Sequence, residues 1–296
     1  MIQEGPSLKD HLYVGDRYTL NYYQSATIMA LQRRLQKHQP QRPLFALANP
    51  VFNASDPRYA AAHGSKAVAG PTLAKAQEAY AFRGLAIRQE WGQTTKDDQT
   101  HKAITFPPLP QTEQEVRAIA QTLGVKPEPP NVLLNLNATE TRLRQSPLGE
   151  YRYLHFATHA DLPGRLQGVN EPFILLGQVD NAEGDDGMLT MSKVLGLRLN
   201  AELVVLSACL TGRGQVMEGE GVANFARAFK QAGARSVVVS LWEVASTETV
   251  EYMTLFYGHL KEGKSRSQAL RLARQEIKAK YPQPFFWAAF ILHGEG

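Results

Sequence analysis

The sequence predicts an α/β fold: a mostly parallel sheet flanked by helices on both faces. Leu203–Ser207 is a short continuous apolar run, as expected for a strand buried on both sides. Two helical stripes follow, Val222/Phe225/Ala226/Phe229 and Val250/Met253/Tyr257/Leu260, at the i, i+3/i+4, i+7 spacing of amphipathic helices. Strands and helices alternate through the C-terminal half, which argues for helical crossovers between parallel strands.

The elements can be justified in chain order. Pro43–Ala48 is a strand candidate leading into Asn49-Pro50, while Asn53–Ala103, rich in Ala, Gly and polar residues, is assigned no regular structure. Thr112–Leu123 is a helix with Val116, Ile119, Ala120 and Leu123 on one face. The proline-rich turn Lys126–Pro130 separates an N-terminal part, 1–130, from a core expected at 131–296. Asn131–Asn135, Tyr151–Thr158 and Phe173–Leu176 are strand candidates, and Thr139–Arg144 is a short helix. Gly233 stands where a C-terminal cap belongs, and Ser236–Trp242 is the next strand. Ser265 with Gln268 forms a capping box for a helix to about Lys280. Phe285–Leu292 closes the chain as a final strand, and no internal repeat marks a solenoid.

The 296 residues are 43% hydrophobic and 20% charged, a globular balance with enough apolar material for a sizeable core. A net charge of +4 is a mild excess. The basic clusters at Arg33-Arg34-Lys37 and across Lys261–Arg274 lack interleaved aromatics, so they read as solvated helix faces and no nucleic-acid partner is expected. A single cysteine excludes an internal disulfide and fits a reducing cytoplasm. No apolar run reaches the roughly 18 residues that span a bilayer, and polar Met1–Asp10 does not resemble a signal peptide. No membrane contact is expected.

The chemistry concentrates in two segments, Leu154-His155-Phe156-Ala157-Thr158-His159-Ala160 and Leu206-Ser207-Ala208-Cys209-Leu210-Thr211-Gly212. Each follows an apolar strand, and the carboxyl ends of parallel strands are where open α/β sheets hold their ligands. Neighbouring strand ends would bring His159 and Cys209 together. A thiol is mostly protonated at neutral pH; a nearby imidazole takes that proton, holds the thiolate and later protonates the leaving amine. The backbone N–H groups of Ala160 and Cys209 are the natural donors to an oxyanion. A lone cysteine after a strand is more often an inert core residue, and it is the pairing with His159 that raises the catalytic case. Metal binding is the weaker rival, because His155 and His159 lie four apart on a strand and nothing nearby completes a site. Strand alternation puts His155, Ala157 and His159 on one face, with His155 as a structural support. No cofactor is called for.

These two segments, with Glu218-Gly219-Glu220-Gly221-Val222, Gly233-Ala234-Arg235-Ser236-Val237, Ser240-Leu241-Trp242 and Phe286-Trp287-Ala288-Ala289-Phe290, resemble the CHAT domain, a family that belongs with caspases, metacaspases and separases. Tyr18–Tyr23, Ser25 and Leu47-Ala48-Asn49-Pro50 match its upstream part more loosely. The resemblance implies a caspase-like fold and a catalytic dyad of His159 and Cys209. It implies a cysteine endopeptidase acting on protein or peptide substrates, in bacterial stress, cell-death or defence signalling. It also places the substrate pocket between Ser207 and the Trp242–Ser246 loop, where Glu243 and Asp161 are candidate partners for a basic substrate side chain and a neutral one remains open. Three features depart from the family: Ala160 replaces a common Gly, Ala245-Ser246 stand where relatives often carry Asp, and the usual tetratricopeptide repeats are absent. The recognition part is therefore expected on a separate chain, as a repeat-containing or other activating partner, or as a portion cut away from this one, and a non-catalytic interaction module or a hydrolase of small amides or esters stay as alternatives.

Overall fold

The computed structural model describes residues 7–8, 10–23, 25, 27, 30, 40–64, 106–161, 169–207, 209–210, 220–242 and 247–296, with backbone alone at 209–210 and 220–223. The strands are β1 (Arg42–Ala48), β2 (Val132–Leu134), β3 (Tyr151–Ala157), β4 (His159–Asp161), β5 (Phe173–Leu175), β6 (Met188–Thr190), β7 (Leu203–Leu206), β8 (Cys209–Leu210), β9 (Ser236–Ser240) and β10 (Phe290–Gly294). The helices are α1 (Val14–Arg17), α2 (Pro57–His63), α3 (Pro110–Leu123), α4 (Glu140–Gln145), α5 (Met191–Leu195), α6 (Glu220–Ala232), α7 (Thr247–Lys261), α8 (Arg266–Lys280) and α9 (Pro284–Trp287).

Six strands form the central sheet in the order β10-β9-β7-β3-β1-β2, with β10 alone antiparallel to its neighbour. The two-residue period of the strands sorts their side chains onto two apolar faces. Phe45, Leu47, Leu154, Phe156, Val204 and Leu206 pack with Phe225 and Phe229 of α6 on one side. Leu44, Ala46, Tyr153, Leu203 and Val205 pack on the other with Val116 and Ile119 of α3, Phe256 of α7 and Leu270 of α8. Burial on both faces is why these strands read as apolar runs without alternation. The sheet runs across the turn at residue 130, since β1 lies between β2 and β3.

A second sheet, β6-β5-β4-β8, grows from the carboxyl ends of the first. β3 stops at Ala157, the Thr158 hydroxyl donates to the Leu175 carbonyl at 2.8 Å, and the chain re-enters pairing as β4. This step breaks the alternation expected from the sequence. His155 stays buried beneath α3 and α7, whereas His159 belongs to the second sheet, so the two histidines do not share a face.

Local signals in the sequence hold at several ends. The Ser265–Gln268 capping box opens α8, and Gly233, at φ 121°, follows α6. The final strand is shorter than expected. Pro284, with its φ preset for a first helical turn, starts α9, and Trp287 buries from there, so β10 begins only at Phe290. The polar stretch Val179–Gly187 is anchored to α4. Glu140 accepts from the backbone N–H groups of Asp186 and Gly187, both at 3.0 Å, and Thr141 donates to Asp185 at 2.6 Å. Among the described residues no helix is long and apolar enough to cross a membrane.

One polar trio sits inside the core under the central strand. His155 Nε2 lies 2.8 Å from Glu115 Oε1, and Nδ1 lies 3.1 Å from the Tyr257 hydroxyl. All three residues are at most 1% exposed. Burial, with Tyr153 and the Glu115 charge beside it, holds the Tyr257 phenol well above its ordinary pKa, so it stays protonated and can donate. The trio ties β3 to α3 and α7.

Two outcomes follow from this packing. Removing one member strands buried polar groups, so Glu115→Ala is expected to cost about 3–5 kcal/mol in denaturant unfolding. An apolar replacement of all three positions should cost less, and a larger loss in that variant would contradict the desolvation argument. The second outcome concerns His293 on β10, whose pKa is lowered by burial and then by Lys230. A group with a depressed folded pKa gives stability that is present above its unfolded value, about 6.5, and lost as pH falls through the folded one. The urea midpoint should drop between about pH 7 and pH 5, and His293→Gln should flatten that drop.

Candidate active site

β4 and β8 pair in parallel, with His159 and Cys209 as direct Cα partners at the first position of each strand. The pairing continues that of the main sheet, where β3 and β7 are neighbours and Phe156 faces Leu206. The two residues singled out by the sequence thus stand side by side at the carboxyl ends of adjacent parallel strands. Only the backbone of Cys209 is described.

The His159 ring is oriented by chain segments far from it in sequence. Its Nε2 lies 2.8 Å from the Pro107 carbonyl oxygen. A carbonyl only accepts, so Nε2 carries the proton, and in the neutral ring Nδ1 then holds the lone pair. Phe52 and Phe106 pack against the imidazole, with centroids 5.2 and 5.3 Å away, planes tilted by 51° and 52°, and their own centroids 6.3 Å apart. Both phenylalanines are buried with Phe173, Leu175 and Met188 from β5 and β6. The imidazole thus has an apolar surface of two adjacent rings on one side and an acceptor at one nitrogen. That suits an imidazole that must keep one orientation while moving a proton through the other nitrogen.

The remaining candidates take different places. Ala160 is buried within β4, a strand with neighbours on both sides, and Ser207 is buried between β7 and β8. Asp161 is fully buried at the end of β4, opposite Phe173. Trp242 stands just beyond β9, where its indole N–H donates to the Phe285 carbonyl at 2.9 Å and its ring stacks on the exposed Phe285. Glu243, Ala245 and Ser246 lie outside the described residues. Among the described residues no three His, Cys, Asp or Glu side chains cluster as a metal site would need. A cavity of ≈590 Å³ between α4 and α5, walled by Leu143, Leu148, Leu189 and Leu197, is lined by none of the candidate site residues.

Sequence reasoning did not find Pro107, Phe52 and Phe106. They approach His159 only through the tertiary fold, and no local period marks them. The one available signal was Phe106-Pro107-Pro108, a stiff apolar lead-in placed just before the α3 stripe.

Residues 4–295 match the CHAT domain family. Tetratricopeptide repeat protein 28 of Mus musculus is 28% identical over 217 residues, covering 63% of this chain and 9% of that protein. Its Homo sapiens counterpart is 30% identical over 217 residues, covering 63% and 8%. The chain thus spans less than a tenth of the curated relatives it matches. With essentially its whole length matched and a mostly parallel sheet sheathed by helices, the chain belongs to the CHAT-domain family and has an α/β architecture consistent with a caspase-like fold.

Proposed function

We propose that this protein is a cysteine endopeptidase in which Cys209 and His159 act as a dyad. The observation that carries the reading is their pairing across β4 and β8, joined to the fixed His159 tautomer. His159 Nδ1 takes the thiol proton, and the sulfur attacks the scissile carbonyl. The tetrahedral oxyanion collapses with cleavage of the C–N bond, the imidazolium protonates the leaving amine, and a thioester remains. Water, deprotonated by the same imidazole, then hydrolyses the thioester and returns the thiol.

The backbone amides of Cys209 and Ala160 receive the oxyanion in this scheme. Cys209 stands on the edge strand β8, so its amide is the better placed of the two; Ala160 has neighbours on both sides. The substrate side chain enters between Ser207 and the Trp242–Ser246 loop. The exposed Trp242–Phe285 stack offers an apolar surface there. Glu243 or Asp161 would select a basic side chain, and their failure to do so would leave a neutral one. The core at 131–296 holds both members of the dyad, and the part before residue 130 supplies Phe52 and Pro107.

The setting we propose is cytoplasmic, in bacterial stress, cell-death or defence signalling, with a tetratricopeptide-repeat partner as activator. The repeat-protein relatives support the partner. Cys209→Ala and His159→Ala should each lower cleavage of a peptide library by about a thousandfold or more, and the double variant should be little worse, because the two act as a unit. Cleavage that persists in Cys209→Ala contradicts the assignment. A wild-type chain that cleaves nothing, with or without a repeat partner, points to an interaction module.

A further inference from the structure

We propose that Asn49 is a positioning residue for the His159 imidazole. The inference rests on the reading of His159 as the proton-transfer residue, and it adds the group that sets the ring's acceptor and one of its walls.

Asn49 ends β1 with φ at +47°, in the left-handed region that Asn tolerates better than most residues. It is 4% exposed, and it bonds in five directions. Its N–H donates to Thr112 Oγ1 at 3.1 Å, and its carbonyl accepts from Arg58 Nη1 at 2.9 Å. Its side-chain Oδ1 accepts from the Leu109 N–H at 3.2 Å. Its Nδ2 donates to Glu113 Oε2 at 3.2 Å and to Asn135 Oδ1 at 3.1 Å. The Thr112 hydroxyl in turn donates to the Leu109 carbonyl at 2.7 Å. Leu109 is therefore held at both its N–H and its C=O, each time through Asn49 or its partner.

Leu109 follows Pro107-Pro108, and Pro107 is the residue whose carbonyl accepts from His159. Two prolines have fixed φ, so fewer torsions between Leu109 and Pro107 are left to take up a displacement of Leu109. The 2.8 Å bond would leave hydrogen-bonding range after a shift of about 0.7 Å. On its other side Asn49 leads into Phe52, one of the two rings against the imidazole. A single buried amide thus joins the chain segments that bracket His159. Without it the Nε2–H tautomer loses its acceptor and the lone pair is no longer confined to Nδ1.

The test reads the tautomer directly. The chain, ¹⁵N-labelled at histidine, is examined by NMR at a pH about two units above the ordinary histidine value of about 6.5, with His159 assigned through His159→Gln. The wild type should show the Nε2–H tautomer at His159. Asn49→Gly keeps the left-handed backbone and removes the amide. It should give averaged nitrogen shifts, and kcat on the best library peptide should fall roughly 10- to 100-fold with KM changed by less than about threefold. A variant that melts lower yet keeps the wild-type tautomer shows a merely structural Asn49 and overturns the proposal. If Asn49→Gly does not fold, Thr112→Val, which removes the hydroxyl between Asn49 and Leu109, must shift the tautomer the same way, and an unchanged His159 signal there overturns it. The dyad reading fails separately, when His159→Ala leaves cleavage intact.

Discussion

The parallel pairing of β3 with β7 is the constraint on which the site depends. Its register sets Phe156 opposite Leu206, and the same register persists beyond the break to set His159 opposite Cys209. The two strands are buried on both faces, so slipping by one residue would move every apolar side chain to the wrong side. The hydrophobic core thereby fixes the backbone alignment of His159 with Cys209. The crossover between them, which includes β5, β6 and α5, is what lets neighbouring parallel strands come from distant sequence.

The two histidines of one short segment show how that constraint divides roles. His155 faces the sheet side covered by α3 and α7, where water is excluded and each ring nitrogen has a protein partner. His159, past the end of β3, has two adjacent aromatic rings against it and a backbone acceptor at Nε2. The first ties three elements together. The second is held in one orientation at the open end of the sheet, which is what a proton-transfer group requires.

Much of this was legible in the sequence because it is local. Apolar runs announce strands buried on both faces, the Ser265–Gln268 box announces a helix start, and the segments Leu154–Ala160 and Leu206–Gly212 put His159 and Cys209 at neighbouring strand ends. What the sequence hid is non-local. Phe52 and Pro107 reach His159, and Asn49 reaches Leu109 beside them, through chain whose spacing has no period, and β4 and β8 are too short to carry an alternation. The misjudged last strand has a different cause. Pro284 begins a helical turn inside an aromatic run that reads as a strand by β-propensity.

The central claim is that the fold makes Cys209 a nucleophile by setting His159 beside it. Because the chain has one cysteine, covalent labelling by a peptidyl acyloxymethyl ketone reports on that sulfur alone. The account predicts a single adduct at Cys209, formed roughly 100-fold faster in the wild type than in His159→Ala when both are folded. Equal labelling rates in the two proteins would contradict it.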